Sequence, residues 1–213
     1  MSEHTELAVS SGAWREETVQ ACGKINLFLF IEGRLPNGYH ELKTLFLPIS
    51  EPKDVLVFRP AEREGGLRVS CETEGIDTER NTLTRAYDLY VQASGFAPAV
   101  DVELIKGIPH GAGLGGGSSD GAEVLRWLQR HAPQPLPEES LLAVAARAGA
   151  DVPFFLLNRP CLAEGIGEKL SCVESGVEGY SCVLLCPAVK VNTAWAYAAW
   201  DKERASFSLT EKR

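Results

Sequence analysis

The sequence carries no surplus of positive charge: 29 acidic residues against 21 lysines and arginines leave a net charge of −8. A general nucleic-acid binder needs clustered Lys and Arg to neutralise phosphates, so nucleic acid is excluded as a partner, whereas one nucleotide held by a local loop is not. No apolar run approaches the roughly 20 residues that span a bilayer. The start, Met1-Ser-Glu-His-Thr-Glu6, has neither the basic nor the apolar part of a signal peptide. These features predict a cytoplasmic protein without a membrane partner. The six cysteines, Cys22, Cys71, Cys161, Cys172, Cys182 and Cys186, include no C-x-x-C pair and are scattered through apolar segments. They are predicted as reduced core thiols rather than a disulfide framework or a zinc site. Internal repeats and low-complexity tracts are also lacking. What remains is an ordinary globular composition, 45% hydrophobic and 23% charged over 213 residues, enough for one large domain or two small ones.

Residues 1–17 read as a polar arm. Lys24 to Ile31, Tyr39 to Ile49, Asp54 to Phe58 and Leu67 to Glu72 have strand-type composition, with a turn at Leu35-Pro-Asn-Gly38. Thr82 to Ala93 carries Leu83, Ala86, Tyr87, Tyr90 and Val91 at the spacing of one helix face, with Asn81 as its N-cap. Val100 to Ile105 is a strand. A helix runs from Ser118 through Leu128 to the prolines at 133, 135 and 137, and another spans Glu138 to Ala148, closed by Gly149. Asp151 to Leu157 reads as a loop entering a strand, Ser181 to Pro187 as a buried strand, and Thr193 as the cap of a short helix whose Trp195 and Trp200 pack on a core. His4 and His131 read as solvated surface residues. Strands first and helices second favour an α+β fold over a regular parallel alternation.

The segment Ile108-Pro-His-Gly-Ala-Gly-Leu-Gly-Gly-Gly-Ser-Ser-Asp120 joins a strand to a helix. Glycine lets the backbone approach a ligand and adopt left-handed conformations, so such a loop presents successive N–H groups, reinforced by the start of the helix. The guest it suits is a phosphate. A flexible linker would also be glycine-rich, but Leu114 inside the run and ordered elements on both sides argue against one. The Walker loop needs a Lys after its glycines, and none is present. Gly111, Gly113 and Gly116 formally match G-x-G-x-x-G, but the region about 20 residues on is a proline loop rather than the second strand of a βαβ unit. Hydroxyls at a helix start, as in Ser118 and Ser119, bind phosphate oxygens or a magnesium ion, which suits nucleoside triphosphate chemistry.

Pro109-His-Gly-Ala-Gly-Leu-Gly-Gly-Gly-Ser-Ser119 resembles the nucleotide loop of the small-molecule kinases that include galactokinase, homoserine kinase and mevalonate kinase. The triple glycine narrows the resemblance to the 4-diphosphocytidyl-2-C-methyl-D-erythritol kinases of the non-mevalonate isoprenoid pathway. Lys24-Ile-Asn-Leu-Phe-Leu29, Asn37-Gly-Tyr-His-Glu-Leu42, Gly149-Ala-Asp-Val-Pro-Phe-Phe155 and, less closely, Ala163-Glu-Gly-Ile-Gly-Glu-Lys169 agree with it in order. His110 stands where the family often has Met, and Gly23 where it has Ala.

The resemblance implies ATP and Mg2+ as cofactors, a cytidine diphosphate derivative as small-molecule substrate, and a monomer or weak homodimer. It implies that Lys24 and Asp151 are catalytic, Asp151 accepting or orienting the substrate hydroxyl proton and Lys24 keeping Asp151 ionised. From residue chemistry alone, Lys24 reads equally as an exposed strand-end charge and Asp151 as a loop residue capping backbone N–H groups. Asn26, on the strand face shared with Lys24, together with Tyr39 and His40, is implied to bind the substrate. Tyr39 and His40 would recognise its cytidine part. The cofactor loop is Pro109, His110, Gly111, Ala112, Gly113, Leu114, Gly115, Gly116, Gly117, Ser118 and Ser119, with Lys106 before it; the magnesium ligands stay open. Related alternatives are a kinase for homoserine, mevalonate or a sugar, or a nucleotide-binding module without catalysis.

The implied fold is a two-domain small-molecule kinase. Its N-terminal nucleotide-binding and catalytic domain (18–160) is ribosomal-protein-S5-like, and a ferredoxin-like α/β C-terminal domain (161–213) is expected to be incomplete. The family's third glycine loop has no counterpart after Gly179, and lower stability and activity than a longer enzyme are expected from that.

Overall fold

In the computed structural model, residues 14–177, 179–187 and 191–210 are described, with side chains as far as residue 204. The arm expected at 1–17 lies largely outside them, as does His4. Trp14 already packs edge-on against Trp127, ring centroids 4.6 Å apart.

Two long strands, β1 (Glu17–Arg34) and β2 (His40–Pro60), form an antiparallel ribbon. The turn joining them is the expected one: the Gly38 N–H donates to Leu35 C=O at 2.9 Å, and Gly38 has φ 87°. The two strands read at 39–49 and 54–58 are one. Their pairing with β1 jumps from Cys22–Lys53 to Gly23–Ile49, so the polar segment Ser50–Pro52 bulges without ending the strand.

β2 also pairs with β4 (Val100–Ile105) through residues 55–60 and with β5 (Cys161–Gly165) through residues 42–46. β3 (Leu67–Ser70) adds in parallel to β4, and β6 (Lys169–Cys172) adds antiparallel to β5. The sheet order is β3-β4-β2-β5-β6, with β1 on β2. β5 and β6, beyond the boundary expected at 160, therefore belong to this same mixed sheet.

Four helices pack together beside it: α1 (Thr82–Ser94), α2 (Gly116–His131), α3 (Glu138–Ala148) and α4 (Val152–Leu157). The Asn81 side chain accepts from Thr84 N while Thr84 answers to the Asn81 N–H, a capping box that fixes the start of α1. In β4, Val100, Val102 and Leu104 turn inward and Asp101 and Glu103 outward. The inward residues meet a core centred on fully buried Trp127, which stacks on Phe58 at 5.1 Å.

Several expectations are corrected. Residues 152–157 are helical, not strand: Val152, Pro153, Phe154 and Phe155 are all buried. A continuous apolar run of that length does not distinguish strand from helix, and Pro153 suits a first helical turn. Residues 181–187 form no strand, and Val183 and Leu185 are 82% and 89% exposed because no neighbouring strand pairs with them. α5 (Thr193–Thr210) is capped one residue earlier than expected, Asn192 Oδ1 accepting from Trp195 N at 3.0 Å. Trp195 is exposed. Gly149 does close α3, but in an extended rather than left-handed conformation. Of the six cysteines, all free, only Cys161 is buried, and Cys172, Cys182 and Cys186 are exposed. His131 is not solvated: it stacks on Trp127 at 4.4 Å and meets Glu17 at 2.8 Å. Among the described residues no helix is long and apolar enough to cross a membrane.

Candidate active site

The glycine segment lies against the middle of β1, near Gly23 and Lys24. Gly111, Gly113 and Gly115 take φ of 77°, 76° and 75°, alternating with Ala112 and Leu114, the arrangement that turns backbone N–H groups to one side. Leu114 is buried, and its carbonyl accepts the Lys24 N–H at 2.8 Å, which ties the loop to β1. At Gly115 a Cβ would stand 2.7 Å from the Phe155 ring and 3.2 Å from the Lys24 side chain. Glycine is required there both by φ and by the close approach of α4.

Residues 108–118, with Thr82 and Lys106, line a cavity of about 270 Å³. α2 begins at Gly116, two residues before the expected start, and Gly115 offers no side-chain cap, so a ligand in the cavity meets an uncapped helix N-terminus. The two serines part company: Ser118 lines the cavity, whereas Ser119 is 2% exposed. A larger cavity, about 610 Å³, adjoins through Thr82 and includes Arg80 and Arg85.

Beneath the loop is a charged cluster that the sequence did not announce. Asp54, fully buried on β2, accepts from the N–H groups of Gly107 and Ile108 at 2.7 and 2.8 Å and from the Lys106 ammonium. Lys106 also donates to Asp120 of α2 at 2.9 Å. Two carboxylates and one ammonium thus clamp the beginning of the loop to its end. Burial pushes Asp120 up to about 7 against the pull of Lys106, and its Oδ1 has no hydrogen-bond partner. Burial opposes the charge of Lys106, but the two aspartates outweigh that and raise it.

Lys24 and Asp151 meet across the site, Nζ to Oδ2 at 3.7 Å. Asp151 sits at the start of α4 with no capping hydrogen bond, so its carboxylate is not consumed by backbone. Lys24 is 7% exposed, not a strand-end charge. At this separation the attraction is about 4 kcal/mol at an effective dielectric of 20. Burial nonetheless prevails, and Lys24 is held below its ordinary value despite Asp151. Its ammonium donates to Asn26 Oδ1 at 2.7 Å, and Asn26 Nδ2 donates to Thr44 at 2.8 Å. Asn26, expected at the substrate, therefore also orients Lys24.

Tyr39 is open, 61% exposed. His40 is covered: Tyr197 of α5 stacks on its ring at 4.6 Å, Trp200 approaches edge-on, and Asp201 Oδ1 lies 2.9 Å from Nε2. Burial and the nearby Asp151 raise Tyr197, so α5 links the His40 corner to the Lys24–Asp151 pair. Tyr197 and Asp201 were not expected at the site, since nothing in a short helix pattern says what it will rest on.

Residues 81–159 match the family model described as "GHMP kinases N terminal domain". A 4-diphosphocytidyl-2-C-methyl-D-erythritol kinase of Nitratidesulfovibrio vulgaris is 52% identical over 184 residues, 86% of this chain and 64% of that protein. Over residues 81–159 the chain is similar to the GHMP kinases' N-terminal domain, and over most of its length to this kinase. A second kinase of the same name, from Lawsonia intracellularis, is 48% identical over 92% of this chain and 65% of its own length. The chain thus spans slightly under two thirds of these relatives. A crystal structure of 4-(cytidine 5'-diphospho)-2C-methyl-D-erythritol kinase superposes with a TM-score of 0.63 at 44% identity, over 74% of this chain and 55% of that one. A homoserine kinase from Cytophaga hutchinsonii shares the fold, with a TM-score of 0.60 at 16% identity over 85% and 59% of the two chains. The α+β fold expected from the sequence agrees with these neighbours.

Proposed function

We propose that the chain carries the ATP-binding and catalytic part of a kinase that phosphorylates a hydroxyl of 4-diphosphocytidyl-2-C-methyl-D-erythritol in the non-mevalonate isoprenoid pathway. One observation carries the reading: Asp151, at the start of α4, stands 3.7 Å from Lys24 of β1, whose own N–H is bonded to the glycine loop. Phosphoryl transfer to an alcohol requires an aligned hydroxyl and a stabilised γ-phosphate, with proton removal a smaller contribution. Asp151 orients or accepts the hydroxyl proton. Lys24, held by Asn26, keeps Asp151 ionised and meets charge developing on the transferring group. The left-handed glycines and the N-terminus of α2 hold the phosphates of ATP, and its nucleoside end extends past Thr82 into the larger cavity.

Among the described residues no group of three His, Cys, Asp or Glu side chains is placed to hold a metal. The donors at the cavity suit an ion brought in on the phosphates, with Ser118 as its protein contact, and Mg2+ is the hard cation that binds this way. Tyr39, with His40, receives the cytosine end. The catalytic unit extends from residue 18 through β6, since β5 and β6 complete its sheet, and the residues after Cys172 belong to the second domain.

Following ADP release from magnesium-ATP in the presence of the cytidyl substrate tests the reading. Turnover that disappears in Asp151→Asn is expected. Turnover of homoserine, mevalonate or a sugar in its place would redirect the substrate assignment. ATP binding without turnover of any alcohol would reduce the chain to a nucleotide-binding module.

A further inference from the structure

We propose that Cys161 and Cys172 are a reversible oxidation site that closes to an intramolecular disulfide with a hydroperoxide as oxidant. The two residues are direct partners across antiparallel β5 and β6. The Val173 N–H donates to the Pro160 carbonyl at 3.0 Å, one residue outside the pair on each strand. That pattern makes Cys161–Cys172 a non-hydrogen-bonded pair, the closer of the two kinds, with Cα atoms about 4.5 Å apart. A disulfide closes over Cα separations of about 4.4–6.8 Å, so the backbone admits the bond without moving apart or together. The sulfurs already lie 3.2 Å from each other, and rotation about the two χ1 angles is enough to bring them to the bonding distance of about 2 Å.

The two thiols differ in a way that sets the order of events. Cys172 is exposed and Cys161 fully buried. Burial, with the neighbouring thiol, pushes Cys161 up to about 12, so it does not meet a dissolved oxidant as a thiolate. Cys172 reacts first: its thiolate attacks one oxygen of the hydroperoxide, the O–O bond breaks, and the departing oxygen takes up the proton Cys172 released. The product is a sulfenic acid at Cys172. The Cys161 sulfur then attacks the Cys172 sulfur, the S–O bond breaks, and hydroxide leaves with the Cys161 proton as water. Two thiols are oxidised and one peroxide is reduced, which balances the exchange. The fixed 3.2 Å approach offsets the poor ionisation of Cys161, because the second step is intramolecular.

Cys172 is exposed, and exposed disulfides are among the readily reduced ones. β6 is the last strand of the sheet, so the bond ties a free edge to β5, whose Cys161 and Ala163 belong to the core. This inference does not depend on the kinase reading.

The experiment uses the full chain, reduced, freed of reductant, treated with hydrogen peroxide, blocked with N-ethylmaleimide and cleaved after glutamate without reduction. Cleavage leaves Cys172 alone in residues 169–174, Cys161 in residues 140–164, and Cys182 with Cys186 in residues 179–203. The expected result is a 140–164 peptide joined to 169–174 with the loss of two hydrogens, separated again by dithiothreitol. In Cys161→Ser, Cys172 is expected to stop at the sulfenic acid and be captured by dimedone. In Cys172→Ser, Cys161 is expected to survive as a thiol. Recovery of Cys161 as a thiol from the peroxide-treated wild type, or Cys172 joined to Cys182 or Cys186, overturns the proposal.

Discussion

Asp151 and Lys24 show how a site residue is defined by what its charge is left free to do. Asp151 makes no capping bond at α4, so Asp151→Asn keeps the helix and, in the proposed kinase, removes the acceptor of the substrate proton. The expected result is a kcat lower by about 10²- to 10⁴-fold, with ATP affinity unchanged by titration calorimetry. Lys24 is held below its ordinary value of 10.5, burial outweighing Asp151, so the alkaline limb of the pH–kcat profile should fall below that value. The same shift fixes the sign for stability. Between the lowered value and 10.5 the unfolded chain binds a proton the folded chain has released, so stability rises with pH across that window; thermal melts in Lys24→Met should lack the rise. Lys24 and Asp151 were legible because their motifs stand in sequence. Asp54 and Asp120 were not, because one acid in an apolar segment looks the same whether it is exposed or bonded to residues far along the chain. Asp54→Ala would leave the Gly107 and Ile108 N–H groups unpaired and Lys106 with Asp120 alone, at a cost of about 1–3 kcal/mol for each buried N–H, and should lower the melting temperature by roughly 10 °C.

The glycine loop, as an element, divides its glycines by neighbourhood. Gly111 and Gly115 have nearly the same left-handed φ, but a Cβ at Gly111 meets nothing within 4 Å, whereas one at Gly115 runs into Phe155. Gly111→Ala carries only the strain of the left-handed conformation, about 1–2 kcal/mol. Gly115→Ala must in addition displace α4 and Lys24. Nucleotide titrations should therefore find Gly115→Ala weakened by a further factor of about 10 relative to Gly111→Ala, the equivalent of another 1.4 kcal/mol. The loop's left-handed turns were readable from glycine spacing, but the special position of Gly115 depends on the ring that tertiary packing brings beside it. α4 makes the same point: residues 151–157 read in sequence as a loop entering a strand, whereas the fold makes 152–157 a helix with Phe154 and Phe155 buried.

The whole molecule brings chain ends of the site together that sequence leaves 161 positions apart, as His40 and Asp201 do. In the proposed kinase, Asp201→Ala frees the His40 ring, and the KM for the cytidyl substrate should rise severalfold with the KM for ATP unchanged. Steady-state kinetics with each substrate varied separately would check this. The core answers to packing alone: Trp127, fully buried and stacked on Phe58, should cost about 3–5 kcal/mol when replaced by Ala, measurable by denaturant melts. The α+β class and the glycine loop between a strand and a helix were readable along the chain, because turns, caps and glycine spacing are local and set by each residue's own backbone preferences. Four features needed the folded chain: β5 and β6 join the first sheet, residues 181–187 pair with no strand, Asp54 and Asp120 clamp the loop, and α5 covers His40. Each of these rests on contacts between distant residues, where burial and pairing outweigh local preference.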